Sequence, residues 1–496
     1  MLFQELLSGL EILEGSGAAD INIDNIVYDS RKARQGSLFV CVDGYVTDGH
    51  KYIGQACAQG VSGFLLQKPL DQLDDKTRQA LEQVSWARVS DTRIGLAHVS
   101  DRFFGHPSGK LDLIGITGTK GKTTTAYMVR AILKAAGRQT GLIGTVANMI
   151  GDKVMYASRT TPESYDLQAL LDEMTAVGMD SCVMEVSSQG LKLNRVYGCE
   201  FRAGVFTNLY EDHIGPHEHA DMEEYLQSKL LLFDVSNDRI VNRDIDIYER
   251  VGRSAGEHIS YGLDSKSDVR AQDLRRTIEK GIAGTSFFLQ TPWFEGNVFV
   301  AMPGSFNVSN ALAAAAVCGS LGIGLDSIRA GLSNVSVPGR VQSVSTKGNF
   351  QIVVDYAHNA ASLEKLLETL RSYVDNRLIV VFGNGGDRAR SRRFEMGETA
   401  GRMADFTVIT SDNPRTEDPM AIIQDILTGI KPTGGKYEVV PDRREAIAYA
   451  IDLAEPGDMI IIAGKGHETY QIFKDETIHF DDAETASELL AERGQL

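Results

Sequence analysis

Short apolar runs rich in β-branched residues alternate with segments of helical period along most of this chain. Strands are expected at residues 37–42, 111–117, 181–186, 378–382, 406–410 and 459–463, and helical segments at 123–136, 362–373 and 419–427. A parallel strand returns to the same end of its sheet only through a crossover, usually a helix. The alternation therefore predicts an α/β fold, with parallel sheets covered by helices. At 496 residues the chain should divide into about three domains. Breaks fall near 89–92, between a strand-like segment and a helix running towards Phe104, and at Val337-Pro338-Gly339-Arg340. The expected domains are 1–90, 91–338 and 339–496. Residues 271–299 read as a β-hairpin insertion with no evident function.

Composition narrows the partners. Fifty Lys and Arg stand against 67 Asp and Glu, a net charge of −17, so the global positive field of a nucleic-acid binder is absent. Anionic substrates must be held by local cations and backbone N–H groups. The five cysteines are scattered, with no C-x-x-C pair, which argues against a disulfide framework and a thiolate zinc site. The first fifteen residues lack a basic n-region and no apolar run reaches 18 residues, so neither a signal peptide nor a membrane span is expected. A cytoplasmic location and a monomer are the expectations, with no membrane insertion and no nucleic-acid partner.

The strongest motif is Gly115-Ile116-Thr117-Gly118-Thr119-Lys120-Gly121-Lys122-Thr123-Thr124-Thr125. It follows an expected strand and opens an expected helix, the context of a phosphate-binding loop. Glycines let backbone N–H groups close around phosphate oxygens, and the helix dipole favours the anion. Lys122 would reach the β- and γ-phosphates of ATP, and the Thr123 hydroxyl would coordinate Mg²⁺. Glu185, at the carboxyl end of a strand, is placed to hold Mg²⁺ as well, although a structural glutamate reads equally well from the residues alone. His213, His217 and His219 could be read as a zinc cluster, but a solvated loop is the preferred reading for His217 and His219.

The form T-G-T-x-G-K-T-T resembles the Mur ligase family, ATP-dependent amide-forming enzymes of peptidoglycan precursor synthesis, and hence of cell-wall biogenesis, cell shape and division. The resemblance extends over the whole chain. It implies three domains: an N-terminal UDP-binding α/β domain, a central phosphate-loop ATPase domain with a parallel sheet, and a C-terminal Rossmann-like domain. It also implies that the enzyme adds meso-2,6-diaminopimelate to the D-glutamate of UDP-N-acetylmuramoyl-L-alanyl-D-glutamate, through an acyl phosphate.

The resemblance assigns residues too. For ATP it implies Gly118, Thr119, Lys120, Gly121, Lys122, Thr123 and Thr124 on the phosphates. Asn307 and Asn310, in Phe306-Asn307-Val308-Ser309-Asn310, would lie at the base, with Arg340, Asp355 and His358 as further contacts. For metal it implies Thr123, Glu185, His213 in Thr207-Asn208-Leu209-Tyr210-Glu211-Asp212-His213, and Lys229 carrying a CO₂-derived carbamate. Lys122, Glu185, His213 and Lys229 form the implied catalytic set. Ser30, Thr160, Thr161, Glu163, Ser187 and Arg195 would hold the UDP-muramoyl-dipeptide. Arg388, Asp412, Asn413, Pro414, Arg415, Gly464 and Glu468 would hold diaminopimelate, whose second carboxylate suits the forked guanidinium of Arg415.

Departures from the family pattern are Gln189 where His is common, Ala360 where Pro is usual, and the run after Arg388, including Arg390. Alternatives are a paralogue adding lysine or using another acceptor, a folylpolyglutamate synthase, or a nucleotide-binding regulatory protein without ligase activity.

Overall fold

The apolar runs form strands where the alternation places them, within one or two residues at each end. The computed structural model describes residues 1–44, 47–216, 218–279 and 282–496. The chain packs as two compact units. One comprises Met1–Asp268 with Ala316–Gly322, the other Val269–Ala315 with Ile323–Leu496.

The first unit begins with strands β1 (Glu14–Ser16), β2 (Asn25–Val27), β3 (Ser37–Val40), β4 (Gly63–Leu66) and β5 (Ser85–Arg88), in sheet order β1-β5-β4-β3-β2. Successive side chains of a strand point to opposite faces. Leu38 and Val40 thus join one core with Leu65 and Ala87, while Phe39 joins another with Phe64 and Trp86. Both faces are covered, which is why this strand reads as a continuous apolar run rather than an alternating one.

A second sheet of the same unit contains β6 (Asp112–Thr117), β7 (Thr140–Ile143), β8 (Asn148–Ile150), β9 (Lys153–Met155), β10 (Ser181–Glu185), β11 (Phe201–Phe206), β12 (Ser236–Asn242) and β13 (Ile259–Gly262). Its order here is β13-β12-β11-β6-β10-β7-β8-β9, parallel from β13 to β7. From β6 the chain steps over a gap to β7, fills it with β10, then crosses to the far side with β11. That reversal opens a crevice at the carboxyl ends of β6, β10 and β11, the usual ligand position of an open α/β sheet. The two sheets of this unit are tied by Tyr165, whose hydroxyl donates to Asn25 Oδ1 at 3.0 Å, and by a Tyr28–Asp166 hydrogen bond.

The second unit opens with β14 (Val269–Glu279), β15 (Ile282–Gln290) and β16 (Glu295–Val300), an antiparallel meander. The expected hairpin thus carries a third strand, because the chain reverses again over Thr291–Phe294, where Thr291 Oγ1 accepts the N–H groups of Trp293 and Phe294.

The rest of this unit holds β17 (Gln342–Val344), β18 (Gln351–Asp355), β19 (Leu378–Phe382), β20 (Phe406–Ile409), β21 (Tyr437–Val439) and β22 (Met459–Ala463), in order β17-β18-β22-β19-β20-β21. All but β17 run parallel. The insertion of β22 between β18 and β19 again leaves a crevice at the strands' carboxyl ends. A two-stranded ribbon of β23 (Tyr470–Ile472) and β24 (Thr477–His479) follows.

Candidate functional site

In the first unit the phosphate loop runs from β6 into the helix Lys122–Ala135. Gly118 has φ +143°, and a Cβ there would lie 1.9 Å from Thr207 Oγ1, so only glycine fits this turn. Gly121 caps the helix with φ +85°. The loop is braced from β11's end: Asn208 O accepts the Thr119 N–H at 3.0 Å, and Asn208 Oδ1 accepts the Lys120 N–H at 2.8 Å. Lys122 Nζ donates to Gly118 O at 2.8 Å and Thr119 O at 3.2 Å, which holds the ammonium over the loop. Thr124 is buried on the first turn of the helix.

Glu185 closes β10 and is buried. Its carboxylate accepts from Thr123 Oγ1 at 2.9 Å, from the Thr145 N–H at 2.9 Å and from Thr145 Oγ1 at 3.1 Å. Thr160 Oγ1 lies 2.9 Å from Thr145 Oγ1. The hydroxyl and carboxylate predicted to share a cation are therefore in direct contact, and both are hard oxygen donors of the kind Mg²⁺ prefers. Among the described residues no group of three or more His, Cys, Asp and Glu is arranged to hold a metal ion.

Lys229, on the helix Met222–Asp234, is 1% exposed, with Nζ donating to Gly118 O at 3.0 Å and lying 4.3 Å from the Tyr225 ring centre. Helical periodicity alone reads it as a surface charge, but the loop and Tyr225 close over it. Burial, reinforced by the Lys122 ammonium and opposed by Asp212, lowers its pKa from 10.5 to about 6. An unfolded chain keeps this proton up to the ordinary lysine range. Between pH 6 and 10.5 the unfolded state thus binds more protons, and stability rises with pH across that window. In carbonate-free buffer, Lys229→Met is expected to be more stable than the parent by several kcal/mol near pH 5, the margin shrinking towards pH 10. Urea unfolding at both pH values measures it, and a constant margin refutes the buried charge.

His213 takes no part in the hydrogen bond that joins Thr123 to Glu185. It is exposed, adopts φ +57°, and its Nδ1 lies 3.0 Å from Glu218 Oε1; its ring sits 5.9 Å from that of Tyr225. His219 corrects the solvated-loop reading: it is fully buried, its Nε2 lies 2.9 Å from Ser188 Oγ, and its ring packs on Tyr225 at 5.0 Å. Tyr225 and Ser188 supply the apolar and polar contacts that a sequence pattern cannot pair with it. His217 lies outside the described residues.

Of the groups assigned to the acceptor, Thr160, Thr161, Glu163, Ser187 and Arg195 form a connected set, Thr160 through Thr145 and Glu185. Thr161 Oγ1 accepts the Ser187 N–H at 2.9 Å and donates towards Glu185 O at 3.0 Å, and Arg195 Nη1 donates to Thr161 O at 3.1 Å. Arg195 is buried and pairs with Glu163 at 2.8 Å; Arg159 and Arg93 stand 3.5 Å and 3.7 Å from the same carboxylate. Three guanidiniums around one glutamate leave a local positive excess in an acidic chain. Ser30, in the first sheet's domain, is buried, with Oγ 3.4 Å from Gln55 Oε1.

In the second unit, Asn307 is buried on the first turn of the helix Ser305–Ser320, donating to Pro303 O at 2.8 Å and accepting from Asn310 Nδ2 at 3.2 Å. Asp355, ending β18, accepts the Val341 N–H at 2.8 Å and the Ala357 N–H at 2.9 Å, so both carboxylate oxygens brace the turns around it. Burial raises its pKa. Arg340 and His358 flank the Tyr356 ring at 5.3 Å and 4.8 Å.

Asp412-Asn413-Pro414-Arg415 follows β20. Asp412 is buried, and burial raises its pKa against the pull of Arg443 and Lys465. Asn413 Nδ2 donates to Glu468 Oε2 at 2.7 Å, its Oδ1 accepts the Ile472 N–H at 2.9 Å, and Arg415 N–H donates to Ile472 O at 3.0 Å. Gly464 has φ +113°, with space for a Cβ taken by Asp412 Oδ2 at 2.7 Å. Beyond Pro414, Arg415 adopts φ +53° and donates through Nη1 to Gly386 O at 2.6 Å. Arg388 is exposed and makes no hydrogen bond or ion pair among the described residues. Tyr225, Thr145, Arg93 and Arg443 are site groups that sequence reasoning missed, since none lies in a recognisable motif, whereas Lys465 lies within Gly464-Lys465-Gly466-His467-Glu468.

A phosphate loop at the switch point of a parallel sheet, with a buried Thr–Glu pair beside it, defines a nucleoside-triphosphate-dependent α/β enzyme. Residues 22–103 match the Mur ligase family catalytic domain, 116–318 the Mur ligase middle domain, and 339–466 the Mur ligase glutamate ligase domain. The chain is 44% identical over 480 residues to UDP-N-acetylmuramoyl-L-alanyl-D-glutamate--2,6-diaminopimelate ligase 1 of Clostridium acetobutylicum, covering 96% of each. It is 43% identical over 500 residues to the corresponding ligase of Alkaliphilus metalliredigens, covering 100% of this chain and 98% of that one. A solved structure of a UDP-N-acetylmuramoyl-L-alanyl-D-glutamate--2,6-diaminopimelate ligase superposes with TM-score 0.75 at 28% identity, covering 100% of both chains. The chain belongs to the Mur ligase family, the ATP-dependent amide-forming ligases, and has their three-domain architecture. No helix among the described residues is long and apolar enough to cross a membrane.

Proposed function

We propose that this enzyme adds meso-2,6-diaminopimelate to the D-glutamate of UDP-N-acetylmuramoyl-L-alanyl-D-glutamate, acting as a cytoplasmic monomer with domains 1–90, 91–338 and 339–496. The observation carrying this reading is the Arg415 turn at the carboxyl end of a parallel sheet: the guanidinium makes one hydrogen bond among the described residues, to Gly386 O, and the same turn holds Asn413 on Glu468. The guanidinium's remaining donors suit the carboxylate that diaminopimelate has and lysine lacks. Relatives across the full length carry the same activity in their names.

In this reading a γ-carboxylate oxygen of the acceptor attacks the γ-phosphorus of ATP, releasing ADP and leaving an acyl phosphate. The amine of diaminopimelate then attacks the acyl carbon, phosphate departs, and the nitrogen loses a proton. Lys122 and the loop's backbone N–H groups hold the phosphates, while Asn307, Asn310, Arg340, Asp355 and His358 serve the nucleoside. Thr123, Glu185, His213 and Lys229 would hold Mg²⁺, which when bound neutralises charge on the transferred phosphoryl group. Lys229 takes part as a carbamate: its neutral amine adds CO₂ and releases a proton. A lysine pKa near 6 supports that reading, since the free base predominates at neutral pH. Ser30, Thr160, Thr161, Glu163, Ser187 and Arg195 position the acceptor.

Phosphate release from ATP should require the UDP-muramoyl-dipeptide together with diaminopimelate, and lysine or glutamate should not replace it. Release independent of all three overturns the ligase assignment. Arg415→Ala should lower kcat/KM for diaminopimelate about 10²-fold while leaving the residual rate with lysine nearly unchanged. Equal losses for both would remove Arg415 from selection.

A further inference from the structure

Arg443 opens the helix Arg443–Leu453 and is 1% exposed. Its guanidinium pairs bidentately with Asp482, Nε to Oδ1 and Nη2 to Oδ2, both at 2.7 Å. Asp482 is itself fully buried, at the start of the helix Asp482–Glu492. The guanidinium's other contacts go to main-chain oxygens: Nη1 donates to Ser411 O at 3.2 Å, and Nη2 to Ala463 O at 3.0 Å.

Those two oxygens occupy particular places. Ser411 immediately precedes Asp412, and Ala463 immediately precedes Gly464. One planar cation therefore grips the roots of both loops that carry the proposed amino-acid pocket. The strands leading into them, β20 and β22, are not neighbours, because β19 lies between them. No ladder hydrogen bond links β20 to β22 directly, whereas Arg443 spans the gap. Lysine could not, since it has one donor centre rather than a fork. A buried ion pair is also a weak source of net stability, because desolvation offsets most of its attraction.

We propose that Arg443, oriented by Asp482, is a positioning residue for amino-acid recognition, setting the spacing between the Asp412–Arg415 turn and the Gly464–Glu468 loop. This rests on the assignment of those loops to the incoming amino acid. Asp412 and Gly464 touch across the same gap, since the space for a Gly464 Cβ lies 2.7 Å from Asp412 Oδ2. A small change in spacing would therefore disturb both loops, and with them the Asn413–Glu468 hydrogen bond.

The test compares the full-length enzyme with Asp482→Asn, which keeps the shape and weakens the pair, and with the double variant Arg443→Met/Asp482→Leu, which removes both charges together. Steady-state kinetics are read separately for each substrate, alongside thermal unfolding. The KM for diaminopimelate should rise at least about tenfold in both variants and discrimination against lysine should fall, with KM for ATP and for the acceptor within about twofold. An unchanged KM for diaminopimelate in a folded variant overturns the proposal, as do equal losses for all three substrates. Failure of both variants to fold also overturns it, assigning the pair to stability alone. A parent enzyme that does not use diaminopimelate refutes the functional reading instead, and the same assay reports it.

Discussion

Lys122→Ala is expected to lower kcat by about 10³-fold or more, with little change in unfolding temperature. The ammonium sits above the phosphate loop, donating to the main-chain oxygens of Gly118 and Thr119. The folded state should survive, because Asn208 braces the loop independently of this side chain, while phosphoryl transfer would lose a cation held over the loop. That cation matters more here than in a basic protein, because a net charge of −17 supplies no background field to substitute for it. Single-turnover transfer from ATP measures the effect. A Lys122→Ala enzyme within tenfold of the parent rate removes this residue from the phosphoryl-transfer step.

Lys229→Ala carries the second large effect. Loss of the long side chain should reduce turnover roughly 10³-fold, and small carboxylates such as acetate or formate should restore part of it. The rescue separates two roles that a simple loss cannot. If Lys229 acts as a carbamate, the missing element is an anion, and an exogenous carboxylate can occupy the vacated space beside Tyr225 and the loop. If it acts as a cation, carboxylates should inhibit and small amines should rescue. Full activity of Lys229→Ala without additives removes the residue from catalysis. The effect on stability runs the other way, since the substitution removes an amine whose burial costs the folded state either a desolvated charge or, above about pH 6, its proton.

The two substitutions differ in how far the sequence foretold them. The position of Lys122 was legible because it is set locally: a strand, a glycine turn and a helix start follow one another, and their backbone conformations place the lysine. The strands β19 and β22 were legible for a similar reason, as unbroken β-branched runs bounded by turns. Lys229 was different. Its family resemblance marked it, but the property that lowers its pKa is burial, and burial comes from Gly118 and Tyr225 closing over it. His219 misled for the same reason: polar neighbours in sequence suggested a solvated loop, while Ser188 and Tyr225 enclose it in space. Arg443 carried no local signal at all, being one arginine in a charged helix start.

Taken alone, the sequence determined the α/β class, the course of most strands, the phosphate loop and the acidic character of the chain. These follow from periodicity, turn chemistry and net charge, which are properties of neighbouring residues or of the chain as a whole. Only tertiary structure decided the environment of each charge: which lysine is buried with its pKa lowered, which arginines gather on Glu163, and which one grips the two loops of the proposed amino-acid pocket. The physical reason is that desolvation and ion pairing depend on distances between segments far apart in the chain, and those distances exist only once the sheets have formed.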